Sequence, residues 1–326
     1  MNRRAALLGG TALVAAAAMA AHAQAPRVMR VALFVTFGAA MEQRVRAGAA
    51  ALLQPHGFVE GRNLELAIVD YADRPAERER LAQDLVARRP DLILVIGSAD
   101  ALLFQRLTRT IPIVFTGVGD PEGLGLVESM ARPGGNITGA SDRFGDLLGK
   151  RFELVKALVP RARRVVVIEH SGASARRLRD SSDQASARLD LVIEHITMAD
   201  DSSASVEGML ASLARARADA VVYAGVRLIG FAPQFLAALE RAGLPAVFSD
   251  HQIVSIGGLM SLGEQEGETY RRAVGLAARV LLGQPPATLP VDQLTRPHLA
   301  INLRTARAMK LVFPESIRLR ADQVVE

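Results

Sequence analysis

The chain has no cysteine and no tryptophan, and only three tyrosines in 326 residues. Without cysteine there are no disulfides, no lipid attached to a cysteine and no thiolate ligands for zinc. With so few aromatic rings, an extensive stacking surface for nucleic acid or glycan is excluded. Charge of one sign is scarce as well. Lys and Arg number 39 against 34 Asp and Glu, a net charge of +5. The surplus is scattered along helical stretches as pairs such as Arg88-Arg89, Arg163-Arg164 and Arg176-Arg177, mixed with acids. These are solvated faces, not a basic stripe, so no nucleic-acid partner is expected.

Residues 1–25, MNRRAALLGGTALVAAAAMAAHAQA, are unlike the rest. Arg3 and Arg4 precede an alanine-rich apolar run, and Ala21-His22-Ala23 has the small-x-small form of a cleavage site. This predicts an export signal over 1–23, processed after Ala23. The run is too short and alanine-heavy for an anchor, so no membrane insertion is expected once it is removed. The arginine pair leaves the general and twin-arginine routes both open. Loss of Arg3 and Arg4 leaves about +3 of the +5. The expected location is the bacterial periplasm.

Beyond residue 25 the sequence becomes regular. VMRVALFVTF (28–37) is a near-continuous apolar run, the mark of a strand covered on both faces. Helical periodicity over 41–54 leads to a strand at 64–71, a helix at about 75–89 and a strand at 91–97. A short helix then precedes IPIVFTG. The rhythm begins again with a helix at 145–158 and strands at 164–170, 189–197, 219–225 and 245–250, separated by helices. Two successive parallel-sheet units are predicted, an α/β fold in two lobes. The tail, with a helix over 265–282 and a strand at 298–303, is long enough to return to both. The predicted division is lobe 1 at 24–141 plus about 256–287, and lobe 2 at 142–255 plus about 288–326.

Between the units lies VGDPEGLGLVESMARPGGNITG (118–139), with six glycines and two prolines. Pro121 is placed to open a helix, and Pro133-Gly134-Gly135-Asn136 is a strong turn. Because these glycines lie between sheet units, a hinge crossing is favoured over a phosphate loop.

In open parallel sheets ligands bind beyond the carboxyl ends of the strands. Those ends are Phe34 to Gly38, Gly97 to Ala99, Thr116 to Asp120, Glu169 to Gly172, Gly225 to Arg227 and Ser249 to His251. Gly97-Ser98 before a helix presents backbone N–H groups to an anion, or Ser98 simply caps the helix. Asp120 caps a turn or faces a ligand. His170, His195, His251 and His298 lack zinc spacing, and neither G-x-S-x-G nor a dinucleotide or P-loop motif occurs. No metal, no cofactor and no catalytic residue is expected. The chain reads as a binder.

DPEGLGLVESMARPGGNITG resembles the signature of a bacterial family of periplasmic substrate-binding proteins of ABC-type uptake systems, which includes tryptophan and tyrosine receptors. HGFVEGRNLEL, TRTIPIVFTGVGDP, LLGKRFELVKALVP, GGLMSLG, LLGQPPATLPVDQ and INLRTARAMKLVFPESIRLRADQVVE extend the resemblance over the whole mature chain. It implies a monomeric two-lobed receptor of the periplasmic type I architecture, with several hinge crossings. The lobes would close around a small solute, an amino acid or a carboxylate, and present it to a membrane permease with its ATPase. The pocket implied by the resemblance draws on Phe37, Gly38, Ser98, Thr116, Val118 and Asp120. Thr138 and Ser141 join it near the hinge, Ser249 and Asp250 from the far lobe, and Met260 and Ser261 from the returning segment. Arg227, in the loop VRLIGF where the chain departs from the family look, either meets a solute carboxylate or lies on the surface. Phe34, Phe37 and Phe248 either wall the ligand or pack in the core. Delivery of the ligand to a membrane signalling partner remains a rival to transport, and a periplasmic enzyme is a further one.

Overall fold

The computed structural model describes residues 27–38, 41–72, 74–142, 144–170, 175–199, 203–224, 228, 231–265, 267–294 and 296–326. The expected export signal and Arg227 lie outside them. Five strands and three longer helices form the first unit: β1 (Met29–Val35), α1 (Glu42–Leu53), β2 (Leu64–Asp70), α2 (Arg78–Ala87), β3 (Leu92–Ile96), α3 (Ser98–Leu107), β4 (Ile113–Thr116) and β5 (Ile137–Ser141). The second contains α4 (Phe144–Leu158), β6 (Arg164–His170), α5 (Ala175–Leu189), β7 (Val192–Met198), α6 (Ser203–Arg215), β8 (Ala220–Tyr223), α7 (Ala232–Ala242), β9 (Ala246–Asp250) and α8 (Gln252–Ser255). The chain ends with β10 (Met260–Glu264), α9 (Glu268–Leu281), β11 (Asp292–Gln293), β12 (His298–Asn302), α10 (Leu303–Ala308), α11 (Glu315–Arg318) and β13 (Gln323–Val325).

Two sheets result. The first has the order β11-β5-β4-β3-β1-β2, and all its pairs are parallel. The second has the order β13-β12-β10-β9-β8-β6-β7, parallel except for β10 against β12. The apolar runs become central strands because both faces are covered. Val31, Leu33 and Val35 of β1 enter one core, while Ala32 and Phe34 enter the core on the opposite face. Val165 and Val167 of β6 likewise oppose Val166 and Ile168. Each fully buried aliphatic or aromatic side chain of this kind contributes roughly 1.5–3 kcal/mol. Phe34 stacks on Tyr71 and meets the edge of Phe104, both at 4.9 Å between ring centres.

One expectation is corrected. No helix starts at Pro121; residues 121–126 form turns, in which the N–H groups of Leu126 and Val127 both reach the Pro121 carbonyl. Positive φ at Gly125 (+67°) breaks the regular helical path. Strand pairing shares the tail between the two sheets. β10 belongs to the second sheet, α9 packs through Ala273, Val274 and Ala277 on the first, β11 joins the first, and β12 and β13 join the second.

The chain therefore crosses between the units three times: from Ser141 to Phe144, from Glu264 to Glu268 and from Gln293 to His298. β5 and β11 end at the carboxyl edge of the first sheet, and β10, parallel to β9, ends at the carboxyl edge of the second. β12, antiparallel to β10, starts there. All three crossings thus join carboxyl edge to carboxyl edge. An extended chain spans at most ~3.6 Å per residue, so crossings this short hold the two edges face to face.

Candidate ligand cleft

On the first edge, β1 runs into Phe37, whose N–H donates to Asp70 Oδ2 at 3.3 Å and which is 48% exposed. Gly38, at φ +87°, turns the chain into α1. Gly97, at φ +86°, donates its N–H to the Thr116 carbonyl at 2.8 Å, fixing the end of β3 against β4. α3 starts immediately at Ser98 with no side-chain cap. Its first N–H groups have no intrahelical partners and point along the helix axis beyond the edge. Ser98 itself is the first helical residue and not the cap. Behind it Asp100 is buried, accepting from Tyr71 Oη at 2.9 Å and from Arg78 Nε at 2.7 Å. Burial, then the charge of Asp100 and its hydrogen bond, pushes the Tyr71 phenol up to about 12. Tyr71 consequently stays a neutral donor that holds the start of α3.

Asp120 lies just beyond β4. Its Oδ1 accepts the Gly123 N–H at 3.0 Å, and its carbonyl accepts the Leu124 N–H at 3.1 Å. Ser141, at the end of β5, gives its carbonyl to the Leu294 N–H at 3.1 Å. On the second edge Ser249 is buried and Asp250 Oδ1 accepts the Gln252 N–H at 2.8 Å, which turns the chain into α8.

Phe37, Gly38, Ser98, Thr116, Asp120, Ser141, Ser249 and Asp250 accordingly stand at or beside the facing edges. Four other predicted residues are fully buried. Val118 is fully buried in the first unit's core, and Met260 in the second's. Ser261 is fully buried within the second sheet between β9 and β12. Thr138 is fully buried, and its Oγ1 donates to the Leu289 carbonyl at 2.8 Å. Phe34 and Phe248 are core residues, which leaves Phe37 as the exposed ring of the three.

The crossings carry a group of charges that strand ends alone do not reveal. Glu264 ends β10 and its Oε2 accepts the Thr269 N–H at 3.3 Å. Burial first, then the neighbouring Asp142 charge, raises its carboxyl to about 7, with Glu268 and Asp250 adding to the effect. Arg151 of α4 is fully buried and donates Nε to the Leu262 carbonyl at 2.8 Å. Its burial lowers the guanidinium to about 10 against the pull of Asp142, so it remains a cation at neutral pH. Arg272 of α9 bridges Glu268 Oε1 at 2.6 Å and Asp292 Oδ1 at 2.8 Å. The readable signal for these residues is an acid directly after an apolar strand, as in SLGE and ITGASD. Among the described residues no group of three or more His, Asp or Glu could hold a metal ion. Nor is any described helix long and apolar enough to cross a membrane.

Residues 29–325 match the family described as ABC transporter substrate binding protein. The Tyrosine-binding protein of Clostridioides difficile (strain R20291) is 26% identical over 268 residues, 82% of this chain and 77% of that protein. The crystal structure of a conserved domain protein from Vibrio cholerae superposes with a TM-score of 0.80 at 25% identity, covering 91% of this chain and all of that one (100%). A Streptococcus pneumonia ABC domain in complex with L-Trp superposes with a TM-score of 0.78 at 21% identity, covering 91% and 100%. The architecture, two parallel-dominated sheets flanked by helices, is the type I periplasmic binding fold. The match across nearly the whole chain and the shared fold agree: the protein belongs to the ABC transporter substrate binding protein family.

Proposed function

We propose that the protein is a periplasmic receptor which closes its two lobes around an amino acid and delivers it to an ABC permease driven by its ATPase. The observation that carries this reading is the set of three short crossings from carboxyl edge to carboxyl edge. They create a cleft whose walls are two lobes able to approach one another. The first wall offers the start of α3, suited to a carboxylate, and the exposed ring of Phe37, suited to an apolar side chain. The crossings offer carboxylates, suited to an ammonium group. A relative named for tyrosine and a structural neighbour holding L-Trp support the same solute class.

In this reading the first lobe comprises β1 to β5 with α9 and β11, and the second comprises α4 to β10 with β12 to β13. Residues 1–23 direct export and are removed. Mechanism is closure, not bond-making: a solute that touches both lobes stabilises the closed form by as much as it prefers that form. The receptor acts as a monomer, without metal or cofactor.

The test is a thermal-shift screen of the mature protein, stripped of bound solute by unfolding and refolding, against amino acids, small carboxylates, nucleosides and sugars. A rise in melting temperature with amino acids alone is expected, since a ligand of the native state stabilises it. Phe37→Ala should reduce that rise for aromatic amino acids. A response to sugars or nucleosides alone, or no response from a folded sample, would overturn the assignment.

A further inference from the structure

Two stretches far apart in the chain, LLGKRFELVKALVP and FPESIRLRADQ, meet at the β13 end of the second sheet. Between them runs a groove of about 600 Å³, within the size range of small-molecule sites. α4 forms one side, through Lys150 and Leu154. α11 and the turn into β13 form the other, through Ile317, Leu319 and Arg320. The floor is Leu262 of β10 and Leu299 of β12, which are cross-strand partners. Leu154, Leu262, Leu299 and Ile317 all belong to one core, so the floor is apolar and firmly packed. Leu319, 79% exposed, lines the groove above it. None of the predicted residues at the facing carboxyl edges lines this groove.

The charges around the groove do not balance. Asp322 is satisfied: its Oδ1 accepts from Arg296 Nη2 at 2.6 Å and its Oδ2 from the Leu299 N–H at 2.9 Å. Glu153 Oε1 accepts from Arg188 Nη2 at 2.7 Å. Lys150 and Arg320 are exposed, and among the described residues their side chains have no hydrogen bond or ion pair. An apolar floor is thus flanked by one unpaired cation on each side. We propose that the groove is a second binding site, for a small organic dianion with two carboxylates on a short apolar spacer. Lys150 pairs with one carboxylate and Arg320 holds the other through its planar fork. The spacer lies on Leu154, Leu299 and Ile317 and displaces water from them. Both acids of the lining are already paired, so nothing here is set to receive the ammonium group of an amino acid. The site therefore differs in chemistry from the cleft and stands independently of it.

The test uses adipate, hexanoate and 1-hexanol, which share one carbon-chain length and carry two carboxylates, one and none. Each is titrated into the protein at neutral pH and low salt, with labelled leucine and isoleucine methyl groups followed by NMR. Adipate should bind saturably and move the methyl signals of Leu154, Ile317 and Leu319. Hexanoate should bind about fivefold or more weakly than adipate, and 1-hexanol should not saturate. Lys150→Gln and Arg320→Gln should each weaken adipate about five- to tenfold, and Lys150→Arg should retain most of the affinity. Because both side chains are exposed and unpaired, the melting temperature of these variants should match that of the parent. Phe37→Ala, in the cleft, should leave adipate binding unchanged.

No saturable adipate binding, or equal binding of all three probes, would overturn the proposal. So would Lys150→Gln and Arg320→Gln proteins that bind adipate like the parent. Adipate that leaves the groove methyls unmoved and is displaced by an amino acid would be a cleft ligand, and the groove would be no site. If adipate fills the groove while no amino acid raises the melting temperature, the groove stands and the cleft reading fails. If amino acids bind and adipate does not, the cleft reading stands and the groove fails.

Discussion

Thr138 Oγ1 donates to the carbonyl of Leu289 at 2.8 Å, tying β5 to a segment 151 residues later in the chain. Both residues are buried. The bond holds the approach to β11 against β5 and so sets where the third crossing begins. Thr138→Val keeps the shape but leaves the Leu289 carbonyl without this donor. A loss of about 1–3 kcal/mol is expected, read by chemical denaturation, with solute affinity changed by less than about twofold.

Asp120 and Gly123 form a similar local pair. A Cβ at position 123 would fall on the Asp120 carboxylate, so the residue there has to be glycine for the carboxylate to lie over its N–H. Asp120→Ala should then behave as loss of a cap. Stability should fall by about 1 kcal/mol, with affinity within about twofold of the parent. A loss of affinity beyond tenfold with an unchanged melting temperature would instead place Asp120 against the solute.

Gly263 packs against Ser249 so closely that a Cβ would overlap the Ser249 carbonyl. The clash is with backbone, which cannot swing aside as a flexible side chain can. It also lies one residue before Glu264, where β9 and β10 lose regular register. Gly263→Ala should cost about 2–4 kcal/mol and reduce the yield of folded protein, seen as a lowered melting temperature.

The strands with apolar runs, such as β1 and β6, were legible because covered faces demand near-continuous hydrophobicity. From strand order alone, Phe37, Gly38, Ser98, Thr116 and Ser249 could be placed at carboxyl ends. β5 was hidden: ITGAS carries one large aliphatic residue and a glycine. That glycine is explained only by tertiary contact, since a Cβ at Gly139 would overlap the Phe115 carbonyl. The sharing of the tail between sheets was equally out of reach, because periodicity reports burial and not the identity of the neighbour. Asp142, Arg151 and Glu264 become a group only after three segments have paired; an acid at the end of an apolar strand marks Asp142 and Glu264 singly, and nothing local tells that they share one region. Val118 and Met260 mislead in the opposite way. They adjoin strand ends, yet their side chains point into the cores.

Glu264 also makes stability depend on pH, with a sign fixed by the direction of its shift. Its carboxyl is raised from 4.5 to about 7 in the folded protein. Between those values the folded state holds the proton more tightly than the unfolded chain does, so stability declines as pH rises from about 4.5 to about 7. Below this window the group is protonated in both states and its favourable folded contribution is fully present. Above it the ionised form carries the whole cost of burial beside Asp142. Glu264→Gln retains the shape and removes the ionisation. Its melting temperature should exceed that of the parent by roughly 2–4 °C at pH 8, with the gap closing toward pH 5. A melting series at constant ionic strength, in buffers of low ionisation enthalpy, reads both quantities. Parallel curves for parent and variant would show that the cost lies elsewhere in the crossing, and a gap that widens toward acid would reverse the sign argued for Glu264.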